Sequence, residues 1–424
     1  MEEKLIIRGG NRLTGTIAAC GAKNAAVAIL PAAMLAESPC TIENLPDILD
    51  VHLLNDISSQ LGATVDFDPQ TNTCYVDPSM GISHEATFDS MRDMRASYYY
   101  LGALLGRFGK ASIALPGGCP IGQRPIDLHL KGMTALGADV EIRQGVVEAV
   151  ARDGKLYGAD IYLDVVSVGA TANIMMAAAK AEGWTTILNA AKEPHVVDLA
   201  NFLNSMGAHI KGAGTDVIRI QGVDALHGCD YAIIPDQIET GTLMVASAAT
   251  KGDVTITNVI PFHMESVTAK LLEMGVHVEE KSDSLRVWTD ERPKRATIKT
   301  VPYPGFPTDL QQPITPLLCV AEGTSLVVEN IFEDRFKHLG MLERMGAKSS
   351  VSGRVAVIEG VDFLEGAPVE ASDLRAGACL IIAGLMAQGE THVTGLHHID
   401  RGYARLEEKL ISLGADIKRV PIEE

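Results

Sequence analysis

The hydrophobic pattern of this chain recurs six times. Amphipathic stretches with apolar residues at helical spacing, such as Val267–Met274, each end in Leu or Met, then Gly, then Ala or Val. The glycines are Gly62, Gly137, Gly207, Gly275, Gly346 and Gly414, so one period is about 70 residues. A glycine directly after an apolar-periodic stretch supplies the left-handed cap that stops a helix. A second pattern accompanies each cap: a run of small apolar residues, a Gly or Ser turn, and a β-rich segment. Leu243–Thr250 leads into Lys251–Ile256, Leu317–Ala321 into Gly323–Val328, Ala376–Ala387 into Gly389–Val393, and Ile174–Ala181 into Gly183–Ile187. The first two copies end at Ser38–Ile42 and Gly109–Ile113.

These small-residue helices are apolar nearly all round and so must be buried on most sides, whereas the amphipathic ones need one covered face. A unit of buried helix, strand, amphipathic helix and further strands cannot bury its own faces, so copies must surround it. The pattern predicts an α/β protein of two similar domains. Each is an inside-out α/β barrel of three repeats of about 70 residues around buried central helices. The expected division is 23–232 for the N-terminal domain and 1–22 plus 233–424 for the C-terminal one. The strand Lys4–Arg8 precedes the first repeat without a partner there, and is assigned to the C-terminal domain. The chain then crosses between domains twice, a connection suited to closure over a ligand.

Composition narrows the class. Of 424 residues, 46% are hydrophobic and only 5% aromatic, so the core is aliphatic. No apolar run approaches the ~20 residues of a membrane span, and the acidic start Met1-Glu2-Glu3-Lys4 is unlike a secretory signal. Seven scattered cysteines form neither a disulfide framework nor a metal site, which points to a reducing cytoplasm and predicts no metal and no cofactor. A net charge of −18 opposes nucleic acid and anionic membranes. Small anionic substrates remain compatible if the few cations are gathered in one place.

One segment departs from the repeat. Leu115–His129 holds three glycines and three prolines, which exclude a continuing helix or a central strand. It carries Cys119, with Arg124 five residues on. A neighbouring cation lowers a thiol's pKa and makes it reactive. Polar residues also stand just before the buried helices: Lys23-Asn24, Arg95, Ser167-Val168-Gly169, Glu239-Thr240-Gly241, Thr308-Asp309 and Asp373-Leu374-Arg375. Helix N-termini favour anions, and with Arg124 and Arg401 these positions suit phosphate or carboxylate ligands. Each also has a plain structural reading. Ser167 is a sufficient helix cap, Asp309 a favourable first-turn charge, His129 a locally satisfied helix residue, and Arg401 a surface partner of Asp400 or Glu407. No GxxxxGK[ST] loop and no GxGxxG after a strand occurs.

The segment Leu115–His129 resembles the catalytic loop of the MurA-type enolpyruvyl transferases, the UDP-N-acetylglucosamine 1-carboxyvinyltransferases of peptidoglycan synthesis. The resemblance runs end to end, through Gly21–Ala26, Met94–Ser97, Val166–Thr171, Asn189–Pro194, Pro235–Gly241, Phe306–Asp309, Asp373–Ala376 and His398–Tyr403. The related shikimate-pathway transferase shares the six-fold fold but lacks the cysteine loop. The resemblance implies transfer of enolpyruvyl from phosphoenolpyruvate to the 3′-hydroxyl of UDP-N-acetylglucosamine, with phosphate released through a tetrahedral intermediate and with domain closure. It implies these two small-molecule substrates, no obligate protein partner and no membrane insertion. Cys119, Asp309, Lys23 and Arg401 match catalytic positions, with Cys119 as a proton donor that an epoxide can alkylate and Asp309 as the base. Lys23, Asn24, Arg124, Arg375 and Arg401 match contacts to phosphoenolpyruvate. Asn24, Arg95, Arg124, Pro125, Ile126, Asp127, Leu128, Ser167, Val168, Gly169, Asp309 and Ile331 match contacts to the nucleotide sugar. Val165 and Gln237 stand where some members carry basic residues. Competing readings are an enolpyruvyl transferase with another acceptor and a silent UDP-sugar-binding paralogue.

Overall fold

The computed structural model describes residues 2–87, 89, 91, 94–115 and 126–422. The chain forms two compact units. The described part of one comprises residues 2–20 and 235–422, and that of the other residues 21–115 and 126–234, apart from the few positions outside the description.

All six caps predicted from the repeat form. Gly62, Gly137, Gly207, Gly275, Gly346 and Gly414 have φ between 87° and 109°, a region that a side chain disfavours and glycine does not. Among the described residues six buried helices also form, three per unit: Lys23–Ala33, Tyr99–Phe108 and Val168–Ala178 in one, and Gln237–Ala249, Gln311–Cys319 and Leu374–Met386 in the other. They begin earlier than their apolar runs suggested. Lys23, Asn24, Glu239, Thr240 and Arg375 lie inside the first turns rather than before them. Polar side chains are tolerated there because hydroxyls bond back to the preceding turn. Thr240 Oγ1 donates to the Asp236 carbonyl at 2.7 Å, and Thr315 Oγ1 to the Gln311 carbonyl at 2.8 Å. Small residues let the helices approach closely: a Cβ on Gly102 would lie 2.2 Å from the Asn173 carbonyl oxygen of the neighbouring helix.

Among the described residues each unit carries three four-stranded sheets of one plan. The strand after the buried helix is paired in parallel with an edge strand and antiparallel with a third strand, itself antiparallel to the strand after the glycine cap. In one sheet Thr324–Val328 pairs with Thr297–Lys299, then with Val355–Glu359, which pairs with Lys348–Ser352. Parallel neighbours need a crossover, and in this sheet the buried helix Gln311–Cys319 is that crossover. The first strand joins strands from the far end of the chain. Glu3–Arg8 pairs antiparallel with both Glu390–Thr394 and Asp416–Pro421, and its Leu5 and Ile7 are buried.

The sequence did not show that two edge strands are exchanged. Thr14–Ala18, which precedes the helix Lys23–Ala33, pairs with Asp253–Thr257; Asp230–Ala232, which precedes Gln237–Ala249, pairs with Cys40–Glu43. Each crossing therefore runs from an edge strand of one unit directly into a buried helix of the other. The crossings are bonded to each other by Asp236 N–H to the Cys20 carbonyl and Ala22 N–H to the Ile234 carbonyl, both at 2.8 Å. Among the described residues, no helix is long and apolar enough to cross a membrane, and no cluster of His, Cys, Asp or Glu is arranged to hold a metal ion.

Candidate active site

In the unit that includes the C-terminus, the buried helix Gln311–Cys319 is preceded by a turn of 3-10 helix, Thr308–Leu310. Asp309 in that turn is clasped by two guanidinium groups. Arg335 Nη2 donates to its Oδ1 at 2.8 Å, and Arg375 Nη2 to its Oδ2 at 3.0 Å. The arginine side chains are 2% and 5% exposed and that of Asp309 is 26% exposed, so the carboxylate is the accessible member of the triad. Two buried cations flanking one partly open carboxylate fix its orientation and leave the group facing outward.

Arg375 opens the helix Leu374–Met386, whose N-terminal N–H groups are capped by Asp373 Oδ1 at 2.9 and 3.0 Å. Its guanidinium also lies over the Tyr403 ring, 5.3 Å from the centroid. Burial alone would lower its pKa. Asp309 above all, with Tyr403 and Asp236, holds it above the usual arginine value, so the charge persists. Behind Arg335, His338 is fully enclosed and bonds Thr315 Oγ1 through Nε2 at 3.2 Å. Burial, aided by the Arg335 charge and opposed by Asp373, pushes this imidazole down to about 4. It is therefore neutral near pH 7 and adds no positive charge to the pair of arginines. Arg401 follows the short helix Leu396–Asp400. The acceptors considered for it, Asp400 and Glu407, are both bonded by Arg419.

In the other unit, Lys23 and Asn24 open the helix Lys23–Ala33, and Lys23 Nζ reaches Asp50 Oδ2 at 3.0 Å. Asp50 is buried in the first turn of Leu49–Leu61 and holds the ammonium at that helix end. Arg95 opens the 3-10 turn Arg95–Tyr98. Ser167 caps Val168–Ala178, accepting from Ala170 N–H at 3.3 Å, so its structural reading holds. Val168 and Gly169 form the first turn of that helix; a Cβ on Gly169 would meet the Tyr98 hydroxyl at 2.8 Å and the His129 ring at 3.0 Å. His129 is satisfied across helices rather than locally, with Asn173 Nδ2 donating to its Nδ1 at 3.0 Å. Asp127 and Leu128 open the helix Asp127–Ala135, with Ile126 just ahead of it. A small recess of about 10 Å3 is lined by Tyr98, Leu101, Leu115, Ile126, His129 and Asn173, among others. Cys119, Arg124 and Pro125 lie outside the described residues. Val165 is exposed, and Gln237 is the first residue of its helix.

Sequence reasoning missed Asp50, Glu329, Thr308 as a hydrogen-bonding group, and Arg335. Asp50, Glu329 and Arg335 each sit beyond the turn or strand that carries the recognised residue, so only packing brings them to it.

Buried helices with polar first turns, Asp309 held between Arg335 and Arg375, and Lys23 paired with Asp50 define a class of fold and site that comparison with known proteins makes specific. The family model for EPSP synthase (3-phosphoshikimate 1-carboxyvinyltransferase) matches residues 7–410, and the chain belongs to this family. A Clostridium botulinum protein called UDP-N-acetylglucosamine 1-carboxyvinyltransferase is 58% identical, over 98% of this chain and 100% of its own length. A Caldanaerobacter subterraneus protein called UDP-N-acetylglucosamine 1-carboxyvinyltransferase 3 is 57% identical, over 99% of both. Among solved structures, the enolpyruvyl transferase NikO from Streptomyces tendae superposes with a TM-score of 0.89 at 29% identity, covering 99% of each chain. EPSP synthase from Acinetobacter baumannii, at 18% identity and a TM-score of 0.72, shares the fold.

Proposed function

We propose that this chain transfers the enolpyruvyl group of phosphoenolpyruvate to the 3′-hydroxyl of UDP-N-acetylglucosamine, releasing phosphate, as the first committed step of peptidoglycan synthesis. The observation that carries this reading is the Asp309 carboxylate, oriented by Arg335 and Arg375, in a chain whose 58%- and 57%-identical relatives bear that activity as their name. Asp309 accepts the proton of the sugar hydroxyl as its oxygen bonds to C2 of phosphoenolpyruvate. Cys119 gives a proton to the methylene carbon, forming the tetrahedral intermediate. In the second step the bond from C2 to the phosphate oxygen breaks, the methyl carbon returns a proton to the Cys119 thiolate, the proton on Asp309 leaves with the phosphate, and the product is a vinyl ether. Lys23, Arg124, Arg375 and Arg401 neutralise the phosphate and carboxylate. Asn24, Arg95, Ile126–Leu128, Ser167–Gly169 and Ile331 hold the nucleotide sugar. The reaction belongs in the cytoplasm and calls for no obligate protein partner.

Phosphate release measured with both substrates tests the reading. Release that requires both is the expected result. Folded protein that releases none, or that releases it only with another hydroxyl acceptor, overturns it.

A further inference from the structure

Five of the six repeats can be aligned at the residue that follows the strand after the buried helix, using the parallel pairing with the edge strand. Asn44, Asn189 and Asn258 occupy that place in repeats one, three and four, with φ of 60°, 59° and 55°, and Gly395 in repeat six with φ of 74°. Each asparagine staples the edge strand by donating Nδ2 to a carbonyl: Asn44 to Ile233, Asn189 to Leu163 and Asn258 to Ala19. In repeat five the residue at this register, opposite Thr300, is Glu329. The stapling asparagine is displaced by one, to Asn330, which bonds the Thr300 carbonyl at 2.9 Å without a positive φ.

The displaced position is put to a definite use. Glu329 is fully buried, and its carboxylate gathers four donors. Oε1 accepts from Thr300 Oγ1 at 2.8 Å, Ile331 N–H at 2.8 Å and Phe332 N–H at 3.2 Å; Oε2 accepts from Thr308 Oγ1 at 2.9 Å. Thr308 in turn accepts from Arg335 Nη1 at 3.2 Å, and Arg335 holds Asp309. One buried carboxylate thus ties the backbone of Ile331, matched to the nucleotide-sugar site, to the turn that carries the proposed base.

We infer that Glu329 is a positioning residue that sets the nucleotide-sugar loop and the Asp309 turn in register with each other, at a place where repeats one, three and four keep a stapling asparagine. This rests on the proposed transferase activity. The role is positional: Glu329 is buried behind both elements and orients them through N–H and O–H donors. An amide in its place presents an NH2 group to donors, and a buried donor left unmatched is expensive.

The test compares wild-type protein with Glu329→Gln, and with Glu329→Asn, which supplies the residue found in repeats one, three and four. Folding is followed by circular dichroism and thermal melting. For folded Glu329→Gln, the expected result is a KM for UDP-N-acetylglucosamine raised about tenfold or more and a lowered kcat, with the KM for phosphoenolpyruvate within about threefold. Glu329→Asn is expected to do no better, and Glu329→Asp to recover part of the loss. All parameters within threefold of wild type, or equal effects on both substrates, overturn the inference. If neither variant folds, Thr308→Val removes the link to the base alone; a lowered kcat with unchanged nucleotide-sugar KM supports the inference, and an unchanged kcat overturns it. Wild-type protein that releases no phosphate overturns the transferase reading instead.

Discussion

Asp198 shows what burial does to a carboxylate in this fold. It lies 2% exposed on the helix Pro194–Ser205, accepting from the Tyr231 hydroxyl at 2.6 Å and from Ile234 N–H at 3.2 Å beside one of the crossings. Burial raises its pKa to about 6, against the opposing effect of those bonds. Between the unfolded value near 3.8 and about 6, the native state keeps a proton that the unfolded chain has lost. Stability from this group is therefore present at the acid end and falls as pH rises through that window. The full shift corresponds to about 3 kcal/mol. Asp198→Asn is expected to gain stability relative to wild type between about pH 4 and pH 7; parallel melting curves across that range would contradict this. At the proposed proton donor, Cys119→Ala is expected to reduce turnover to near zero with the fold intact. Cys119→Asp keeps some activity, because a carboxylic acid also donates a proton, and resists epoxide alkylation. Mass spectrometry showing an adduct in the active site of Cys119→Asp would refute the assignment.

At the scale of elements, the buried helices impose the sharpest constraints. Gly102 N–H donates to Asn173 Oδ1 at 2.6 Å, and Asn173 also bonds the Tyr98 carbonyl and His129. One residue therefore organises three helices, and Gly102 must lack a side chain for it to do so. Gly102→Ala forces the helices apart or breaks the bond, and is expected to destabilise the protein by about 1–3 kcal/mol in denaturant melts. Full stability would show that the contact relaxes freely. This demand was not legible in the sequence, where Gly102 reads as one more small residue of an apolar run. The glycine caps were legible because a cap is a local event: the helix stops at the residue itself. The first turns of the buried helices were misplaced by a few residues because buried threonines satisfy themselves within the helix, which a hydropathy pattern reads as surface.

For the whole molecule, the first strand is the element on which closure of a sheet depends. Deleting residues 2–9 would separate Glu390–Thr394 from Asp416–Pro421 and expose apolar surface that Leu5 and Ile7 cover, each worth about 1.5–3 kcal/mol. The truncated chain is expected to be insoluble or to melt well below the intact one; an unchanged melting temperature would remove the strand from the core. That dependence was legible, since a strand ahead of six complete repeats must pair elsewhere. The local periods of the sequence by themselves determined the six caps, the six buried helices and the α/β class, because each follows from spacing within a few turns of chain. Tertiary structure alone decided the exchange of the edge strands Thr14–Ala18 and Asp230–Ala232, the clasp of Arg335 and Arg375 on Asp309, and the burial of Glu329 behind them. Those depend on which distant segments meet, and a parallel strand pair joins segments that sequence proximity does not.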